Sequence, residues 1–188
     1  AFVVEERMSG PEVSLLALCD GHRTLALPLA QDHKRIGEGD TGPNTGGMGA
    51  YSPVPRSLGV DADELAATFV RPLLDHFAAA GTPYVGVIFA GLMLTADGPR
   101  LVEYNVRFGD PEAQTVLPLL DTDLVELALA AAAGSFGDRR LALTDRAACT
   151  VVAAAAGYPE APRLGEPVLV LTDEMADEFG DDVVVFPA

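Results

Sequence analysis

The apolar residues of the chain fall mainly into short runs that are separated by turn residues. Residues 12–19 and 23–30 are two such runs joined by Asp20-Gly21, and residues 84–94 and 100–106 form a second pair. An Asp-Gly dipeptide between two apolar runs favours a tight β-hairpin. The pattern therefore predicts two antiparallel hairpins, one on each side of the residues that lie between them.

A different periodicity occupies residues 61–80, where apolar side chains recur at every third or fourth position. This spacing places them on one face of an amphipathic helix. Asp61 or Asp63 is suited to cap the helix and Gly81 to end it. Pro72 lies in the interior, where its ring and missing N–H are expected to kink the helix or divide it.

The remaining segments complete an α+β prediction. Residues 2–8 are predicted to form a strand, and Pro111 is suited to open a short helix. A longer helix is predicted at residues 124–133, capped by Asp121-Thr122-Asp123 and closed by Gly134. The pattern thus predicts antiparallel hairpins with helices on one side.

Residues 134–145 have little apolar periodicity, and we place a domain boundary there. Residues 147–156 are predicted to be a buried strand, followed by a turn at residues 157–159 and by short β segments that end in a strand at residues 183–186. The N-terminal run and this C-terminal run begin and finish within predicted strands, which suggests a piece of a longer polypeptide. The part of the chain after this boundary is therefore predicted to be a smaller, β-rich unit.

Composition narrows the classes of function. The 188 residues are 49% hydrophobic and carry a formal net charge of −16. This charge argues against a nucleic-acid or anionic-membrane surface. The sequence has no secretory signal and no apolar run that could span a bilayer, so we expect a cytoplasmic protein. Cys19 and Cys149 lie far apart in apolar runs and are predicted to be buried free thiols.

Positive charge stands beside a glycine-rich segment at residues 36–55. His33, Lys34 and Arg35 precede this segment in a chain that contains only twelve Lys and Arg residues. Glycine lets main-chain N–H groups approach an anion, and Lys and Arg neutralise it. The alternative is a solvated run of charge, but the neighbouring glycines favour contact with phosphate or carboxylate. The segment is neither a P-loop nor a dinucleotide fingerprint.

A second polar pair lies on the last strand of the second hairpin. Glu103 and Asn105 are two residues apart, so their side chains emerge on the same face. A carboxylate and an amide oxygen are suitable ligands for Mg²⁺ together with nucleotide phosphates. By pattern alone, the polar side of an edge strand that faces solvent explains the pair better than metal binding does. The acidic segment Phe108-Gly109-Asp110-Pro111-Glu112 that follows at once favours a site.

These motifs resemble, in order and over nearly the whole chain, the phosphoribosylamine–glycine ligase (glycinamide ribonucleotide synthetase) family of the ATP-grasp superfamily. The resemblance rests on six segments: residues 4–6, 9–12, 31–35, 42–53, 90–93 and 103–112. The run Gly-Pro-Asn-Thr-Gly-Gly-Met-Gly-Ala-Tyr at residues 42–51 is the most specific of them. The resemblance implies part of the C-terminal ATP-grasp lobe at residues 1–134, an antiparallel sheet with helices, and part of a small β-rich C-terminal domain at residues 135–188.

The resemblance also implies a chemistry: ATP phosphorylates glycine, and 5-phosphoribosylamine attacks the resulting glycyl phosphate. ATP and Mg²⁺ (or Mn²⁺) are the implied cofactors, with Glu103 and Asn105 as metal ligands. The residues implied to border ATP are Glu5, Glu6, Met8 and Glu12. The residues implied to act on the transferred phosphate and the substrate anions are Lys34, Arg35 and Arg107. Those implied to bind the substrates are Asp32, Asn44, Thr45, Gly46, Gly47, Met48, Gly49, Asp110 and Glu112.

Two alternatives stay open at this point. One is an ATP-grasp ligase that joins another acid and amine, and the other is a non-catalytic nucleotide-binding module. The family's N-terminal substrate domain and nucleotide-covering lobe have no counterpart in the sequence. We therefore expect little catalysis from these residues by themselves.

Overall fold

The computed structural model describes residues 2–165, 167 and 182–187, and a four-stranded antiparallel sheet is its largest element. In chain order the strands are β1 (Glu12–Asp20), β2 (Thr24–Ala26), β3 (Gln31–Asp32), β4 (Arg35–Gly37), β5 (Thr41–Asn44), β6 (Gly49–Ser52), β7 (Val85–Thr95), β8 (Gly98–Asn105) and β9 (Ala148–Val151). The α-helices are α1 (Ala62–Leu65), α2 (Arg71–Ala79), α3 (Glu112–Val116) and α4 (Leu124–Ala132).

Both predicted hairpins are confirmed. β1 pairs with β2, β7 pairs with β8, and the two hairpins join through β1 and β7 in the order β2-β1-β7-β8. β1 pairs with β7 along its whole length, from Glu12 opposite Met93 to Asp20 opposite Val85. This register sets residues from three strands side by side on each face of the sheet.

Helices cover both faces of this sheet, so the prediction of helices on one side only was wrong. Val13, Leu15 and Ala17 pack with the helices at residues 62–79, whereas Leu16 and Leu18 pack toward α3 and α4. β1 is buried at every position after Glu12 rather than at alternate ones, which is the pattern of a strand covered on both faces.

The predicted long helix begins and ends as expected, and Pro72 divides it. Asp61 caps α1 by accepting from the backbone N–H groups of Asp63 and Glu64. A π-helical turn at Ala66–Val70 separates α1 from α2, and Pro72 lies in the first turn of α2. The π-helical turn that precedes Pro72 interrupts the regular series of hydrogen bonds and so accommodates the N–H that proline lacks. Gly81 follows α2 with a φ of +75°.

The glycine-rich segment is more regular than the open loop that the sequence predicts. β4 and β5 form a small hairpin, and β6 lies between β3 and β9 in a three-stranded sheet. Glycines do not prevent pairing here because backbone hydrogen bonds need no side chain. The segment is therefore held against its neighbours rather than free.

A buried carboxylate, Asp20, fixes the turn between β1 and β2. Its Oδ1 accepts from the backbone N–H groups of His22 (3.0 Å) and Arg23 (2.7 Å), and its Oδ2 accepts from Phe136 N (3.0 Å). Burial acts to raise the pKa of Asp20, but the three N–H donors stabilise the ionised form and the pKa is lowered. Asp20 thus ties the first hairpin to the segment that follows α4.

The two later helices agree with the sequence analysis. α3 begins directly after Pro111, and Asp123 caps α4 through Val125 N and Glu126 N. Gly134 follows α4 with a φ of +62°. None of the helices in the described part of the chain has the length and apolar character needed to traverse a bilayer.

Four local predictions were wrong. Residues 2–8 have no regular secondary structure and Phe2, Val3 and Val4 are exposed, because this run pairs with no strand among the described residues. β9 is shorter than predicted and half-exposed, and Cys149 within it is exposed, whereas Cys19 is buried. Residues 183–186 form no strand. The turn at residues 157–159 is present, but most of the β segments predicted after it lie outside the described residues.

The chain forms two compact units, residues 1–152 and 153–188. The first extends past the boundary placed near residue 134, because β9 pairs with β6 and Thr150 accepts a hydrogen bond from Thr115 in α3. The second contains the turn at residues 157–159. The assignment of residues 135–188 to a separate β-rich domain stays a prediction.

Candidate active site

One face of the large sheet carries a row of small and polar residues. Ser14 of β1 lies opposite Gly91 of β7, and Gly91 lies opposite Glu103 of β8. A Cβ added at Gly91 would lie 3.5 Å from Cγ of Glu103, so the side chain of Glu103 extends over the glycine. The missing side chain at Gly91 therefore leaves space above the sheet between Ser14 and Glu103.

Lys34 is the cation of this region. Its Nζ donates to Oε2 of Glu12 at 2.8 Å, and both side chains are partly exposed. Burial acts to lower the pKa of Lys34, but the hydrogen bond to Glu12 and the charges of Asp32 and Glu103 raise it. Lys34 thus keeps its positive charge amid acidic side chains from β1, β3 and β8.

Gln31 fixes the backbone at the start of β1. Its Nε2 donates to the carbonyl oxygen of Glu12 at 2.9 Å, and its Oε1 accepts from the hydroxyl of Tyr51. Gln31 and Tyr51 are also direct partners in the β3–β6 pairing. The position of Glu12, and with it that of the Lys34 ammonium, is therefore set by the smaller sheet.

Two acidic side chains lie together beneath the glycine-rich segment. Glu112 is 3% exposed and accepts from the hydroxyl of Ser14 at 2.8 Å. Burial, followed by the charge of Glu112, raises the pKa of Asp32 to about 7. Oδ1 of Asp32 is buried and has no hydrogen-bond partner among the described residues. The pair is close enough for one charge to act on the other.

The segment that contains Gly47 packs directly against this pair. Gly47 has a φ of +128°, and a Cβ there would lie 2.6 Å from Cδ of Pro111 and 3.0 Å from Oδ1 of Asp32. The hydroxyl of Thr45 donates to the carbonyl oxygen of Lys34 at 2.8 Å and accepts from Gly47 N at 3.0 Å. Met48 N donates to the carbonyl oxygen of His33 at 2.8 Å. Only glycine fits at position 47 without displacing its neighbours.

Glu103 and Asn105 meet the chemical requirement for a divalent cation with few protein ligands. They lie on the same face of β8, and Asn105 Nδ2 donates to Glu103 Oε1 at 3.1 Å. Rotation of the amide would present its oxygen beside the carboxylate, which suits a hard cation. In the described part of the chain, no three His, Cys, Asp or Glu side chains form a metal-binding group. A cation held here would therefore need phosphate or water oxygens as further ligands.

The structure does not bring every predicted site residue into this cluster. Arg35 Nη1 donates to the carbonyl oxygen of Gly42 at 2.5 Å, and Asn44 is its exposed partner in the β4–β5 hairpin. Arg107 is exposed and donates to the carbonyl oxygen of Phe108 at 2.8 Å.

The other predicted residues divide in the same way. Asp110 accepts from Gln114 at 2.8 Å, and its carbonyl oxygen lies beside Gly47. Glu5, Glu6 and Met8 lie in the irregular segment before β1. Gly46 and Gly49 lie on either side of the residues at 47–48 that contact the acidic pair, and Gly49 pairs with β9.

Sequence reasoning missed four residues that shape the cluster: Ser14, Gln31, Gly91 and Gly109. A Cβ at Gly109 would lie 2.3 Å from Oε2 of Glu112. The isolated serine within the apolar run of β1 was the available signal for Ser14, because an apolar strand rarely buries a hydroxyl without a partner. Gln31, Gly91 and Gly109 lie within segments that carry the resemblance, but the roles of Gln31 and Gly91 depend on pairings between strands, and that of Gly109 on the turn that leads into α3.

An open depression of about 510 Å³ is lined by Leu117 and by residues 120–125. None of the candidate site residues lines it. It therefore has no part in the cluster described above.

Comparison with known proteins identifies the class of domain that the chain forms, an ATP-grasp domain. A crystal structure of phosphoribosylamine–glycine ligase from Thermotoga maritima superposes with a TM-score of 0.75 at 35% identity, covering 85% of this chain and 40% of that chain. The urea carboxylase of Kluyveromyces lactis, at 16% identity and a TM-score of 0.50, shares the fold alone. The fold predicted from the sequence resemblance is thus confirmed.

The particular family follows from the sequence. The family model for the phosphoribosylglycinamide synthetase ATP-grasp (A) domain matches residues 1–113, and the chain belongs to this family. Phosphoribosylamine–glycine ligase from Caulobacter vibrioides is 50% identical over 188 residues, and that from Streptomyces coelicolor is 49% identical over 187. The matches cover 99% of this chain but 43% and 45% of those proteins. The chain therefore spans less than half the length of these curated relatives.

Proposed function

We propose that the protein containing this chain ligates glycine to 5-phosphoribosylamine at the expense of ATP, in purine biosynthesis. The products are glycinamide ribonucleotide, ADP and phosphate. The observation that carries the proposal is the cluster of Lys34, Glu12, Asp32 and Glu103 beside the Gly47 segment. It lies in a chain whose 50%-identical relative bears the name of this activity.

Each part of the cluster suits one need of the reaction. The γ-phosphoryl group of ATP passes to the glycine carboxylate, and the amine then attacks the acyl carbon. As the C–N bond forms, the bond from carbon to the phosphate oxygen breaks, phosphate departs with the bonding electrons, and the amine nitrogen releases a proton to water. Both steps gather negative charge, so catalysis depends on positioning and neutralisation. Lys34 provides a permanent cation, and the Gly42–Gly49 segment provides main-chain N–H groups.

A divalent cation, Mg²⁺ or Mn²⁺, would neutralise the nucleotide phosphates. We propose that Glu103 and Asn105 hold it, since they present a carboxylate and an amide oxygen on one face of β8. Glu5, Glu6, Met8 and Glu12 are proposed to border the nucleotide. Arg35 and Arg107 are proposed to reach phosphate oxygens by exchanging their present bonds to backbone carbonyls for bonds to substrate.

The remaining proposed contacts concern the two organic substrates. Asp32, Asp110 and Glu112 supply acidic groups that attract an amine. Asn44, Thr45, Gly46, Gly47, Met48 and Gly49 are proposed to face phosphate and carboxylate oxygens, and the N–H groups of Thr45, Gly47 and Met48 would exchange their present bonds within the protein for bonds to substrate. We also propose a cytoplasmic location, since the reaction consumes ATP.

The test uses the protein at the full length of its relatives. ADP release is measured with glycine, alanine or serine as the acid, with 5-phosphoribosylamine formed in situ from ammonia and ribose 5-phosphate. We expect release only with glycine, and glycinamide ribonucleotide by mass spectrometry. Release with another amino acid in place of glycine would identify a different ligase. Calorimetric binding of Mg-ATP without turnover under any condition would identify a nucleotide-binding module.

A further inference from the structure

Strand β9 follows α4 in the chain and contains none of the site residues that the sequence predicts, yet it contacts two segments of the candidate site. The first is the glycine-rich segment. β9 pairs with β6 in an antiparallel ladder that sets Thr150 opposite Ala50 and Val151 opposite Gly49. β3 pairs with the other edge of β6. β9 therefore reaches the glycine-rich segment from the side opposite to β3.

Backbone hydrogen bonds hold Met48 between the residues that follow β3 and β9. Met48 N donates to the carbonyl oxygen of His33 at 2.8 Å, and Val152 N donates to the carbonyl oxygen of Met48 at 2.9 Å. A Cβ at Gly49 would lie 2.5 Å from the carbonyl oxygen of Thr150, so the glycine permits the close approach of the two strands. The glycine-rich segment is thus fixed to β9 at this point.

The second contact is made by the side chain of Thr150, which bonds to α3. The hydroxyl of Thr115, which is fully buried, donates to that of Thr150 at 2.8 Å. Thr115 Oγ1 also lies 3.0 Å from the carbonyl oxygen of Pro111, directly before α3. Glu112, in the first turn of the same helix, accepts from the hydroxyl of Ser14 at 2.8 Å. One hydroxyl therefore attaches α3 to the large sheet, and another attaches it to the three-stranded sheet.

The glycine-rich segment and the start of α3 also touch each other. A Cβ at Gly47 would lie 2.6 Å from Cδ of Pro111 and 3.2 Å from the carbonyl oxygen of Asp110. The function proposed above gives phosphate oxygens to the glycine-rich segment and an amine to the acidic groups at Asp110 and Glu112. In 5-phosphoribosylamine the sugar separates the phosphate from the amine, so this substrate can span both segments. In glycine a single carbon separates the two charged groups.

We propose that Thr150 is a positioning residue for the phosphorylated amine: β9 fixes it to the glycine-rich segment, and its hydroxyl holds the start of α3 at a set distance from that segment. The effect on substrate binding rests on the function proposed above, whereas the attachment of α3 does not. Without the Thr150 hydroxyl, Thr115 can still donate to the carbonyl oxygen of Pro111 next to its own helix. α3 should therefore stay folded and lose only its attachment to β9.

The direct test measures amide hydrogen exchange in full-length Thr150→Val, which keeps the shape of the side chain and removes the hydroxyl. Peptides that cover residues 109–116 should exchange about three- to tenfold faster than in the wild type, because the start of α3 opens more easily once one hydrogen bond is lost. The melting temperature should change little. Thr150→Ser, which keeps a hydroxyl, should exchange as the wild type does.

Ser52→Ala is the matched control. Ser52 is buried in the same three-stranded sheet, pairs with Ala148 of β9, and donates to the carbonyl oxygen of Leu29 at 2.9 Å rather than to α3. Ser52→Ala should lower the melting temperature and leave exchange at residues 109–116 unchanged. If Thr150→Val does not fold, Thr115→Val removes the same bond from the side of α3 and is read by the same measurement.

The kinetic test compares kcat/KM for 5-phosphoribosylamine with the KM for ATP. Thr150→Val should lower this kcat/KM about tenfold or more, because small displacements of binding groups have effects of this order. Thr150→Ser should retain it, and the KM for ATP should be unchanged in both variants. A residue that only stabilised the fold would not change the constant for one substrate and leave the other unaltered.

Three results would overturn the inference. The first is unchanged exchange at residues 109–116 in Thr150→Val, and the second is an equal rise in Ser52→Ala. The third, in a wild type that has ligase turnover, is a Thr150→Val variant whose kcat/KM for the phosphorylated amine is unchanged or falls no more than that for ATP. If the wild type has no ligase turnover but Thr150→Val accelerates exchange in α3, the proposed function fails and the attachment of α3 by Thr150 stands.

Discussion

The close packing at Gly47 gives the most direct prediction. In Gly47→Ala the added Cβ would lie 2.6 Å from Cδ of Pro111, 3.0 Å from Oδ1 of Asp32 and 3.2 Å from the carbonyl oxygen of Asp110. A proline ring and a backbone carbonyl cannot rotate away. The glycine-rich segment must therefore move, or the Asp110–Pro111 segment must. Either movement disturbs the positions of Asp32 and Lys34.

The magnitude has two contributions. A side chain at a φ of +128° is strained by about 1–3 kcal/mol, and overpacking in a closed region costs about 1–3 kcal/mol more. We expect Gly47→Ala to lower the free energy of unfolding by about 2–6 kcal/mol. Gly39→Ala is the control, because Gly39 also has a positive φ, +66°, but nothing lies within 4 Å of its added Cβ. It should cost about 1–2 kcal/mol.

The assay is urea denaturation of full-length protein followed by circular dichroism, with the ligase assay run on each folded variant. The difference between the two variants contains the packing contribution together with the excess backbone strain at a φ of +128° over that at +66°. We expect Gly47→Ala to lose substantially more stability, and its ligase turnover to fall while that of Gly39→Ala is retained. Equal losses in the two variants would show that the contact with Pro111 and Asp32 has no consequence.

Four further predictions concern charged residues. Glu103→Gln should raise the Mg²⁺ concentration that gives half-maximal turnover at least tenfold and leave the melting temperature unchanged. The exposed Glu126→Gln is the control, and an unaltered Mg²⁺ titration of Glu103→Gln refutes the metal assignment. Lys34→Met should raise the KM for a substrate about tenfold or more, whereas Arg71→Met, which breaks the exposed pair with Asp75, should not. If the kinetic constants of Lys34→Met equal those of the wild type, Lys34 is a solvated surface charge and not a substrate ligand. Burial and the charge of Glu112 raise the pKa of Asp32 to about 7. Between about pH 4 and pH 7, native Asp32 therefore keeps a proton that the unfolded chain releases. The contribution of Asp32 to the free energy of unfolding thus falls by about 1.4 kcal/mol for each unit that the pH rises in this range. Asp32→Asn should remove that slope in denaturation series from pH 5 to 8, and a slope that stays the same contradicts the raised pKa. Asp20→Ala should lower the free energy of unfolding by about 2–4 kcal/mol at pH 7, because three backbone N–H groups lose their acceptor. The pKa of Asp20 is lowered in the folded state, so this difference should shrink as the pH falls below 4, and exposed Asp138→Ala should show no comparable loss.

Sequence features that act over a few residues predicted much of the secondary structure. The Asp-Gly turn, the spacing of apolar residues at 61–80 and the caps at Asp61 and Asp123 each act within a few residues, and each predicted element is present. The strand predicted at residues 2–8 shows the limit of such signals. A strand needs hydrogen bonds from another strand, and a run of seven residues that includes Phe2, Val3 and Val4 does not say whether a partner exists.

The candidate site was predictable in its residue types but not in its arrangement. Lys34, Glu103 and Asn105 stood out because cations are few and because residues two apart share a face of a strand. That Lys34 would bond Glu12, 22 residues away, could not be read from either segment. Arg35, its neighbour in sequence, points to the β4–β5 hairpin instead, because alternate residues of an extended chain face opposite ways.

By itself the sequence determined the hairpins, the helices and the family, because turn chemistry, helical periodicity and the run at residues 42–51 are properties of neighbouring residues. Only the tertiary structure decided that helices cover both faces of the sheet and that Ser14 and Glu112 meet. Ser14 and Glu112 are 98 residues apart. Their contact depends on the register that sets Ser14 opposite Gly91 and on Gly109, whose missing side chain leaves room for the Glu112 carboxylate.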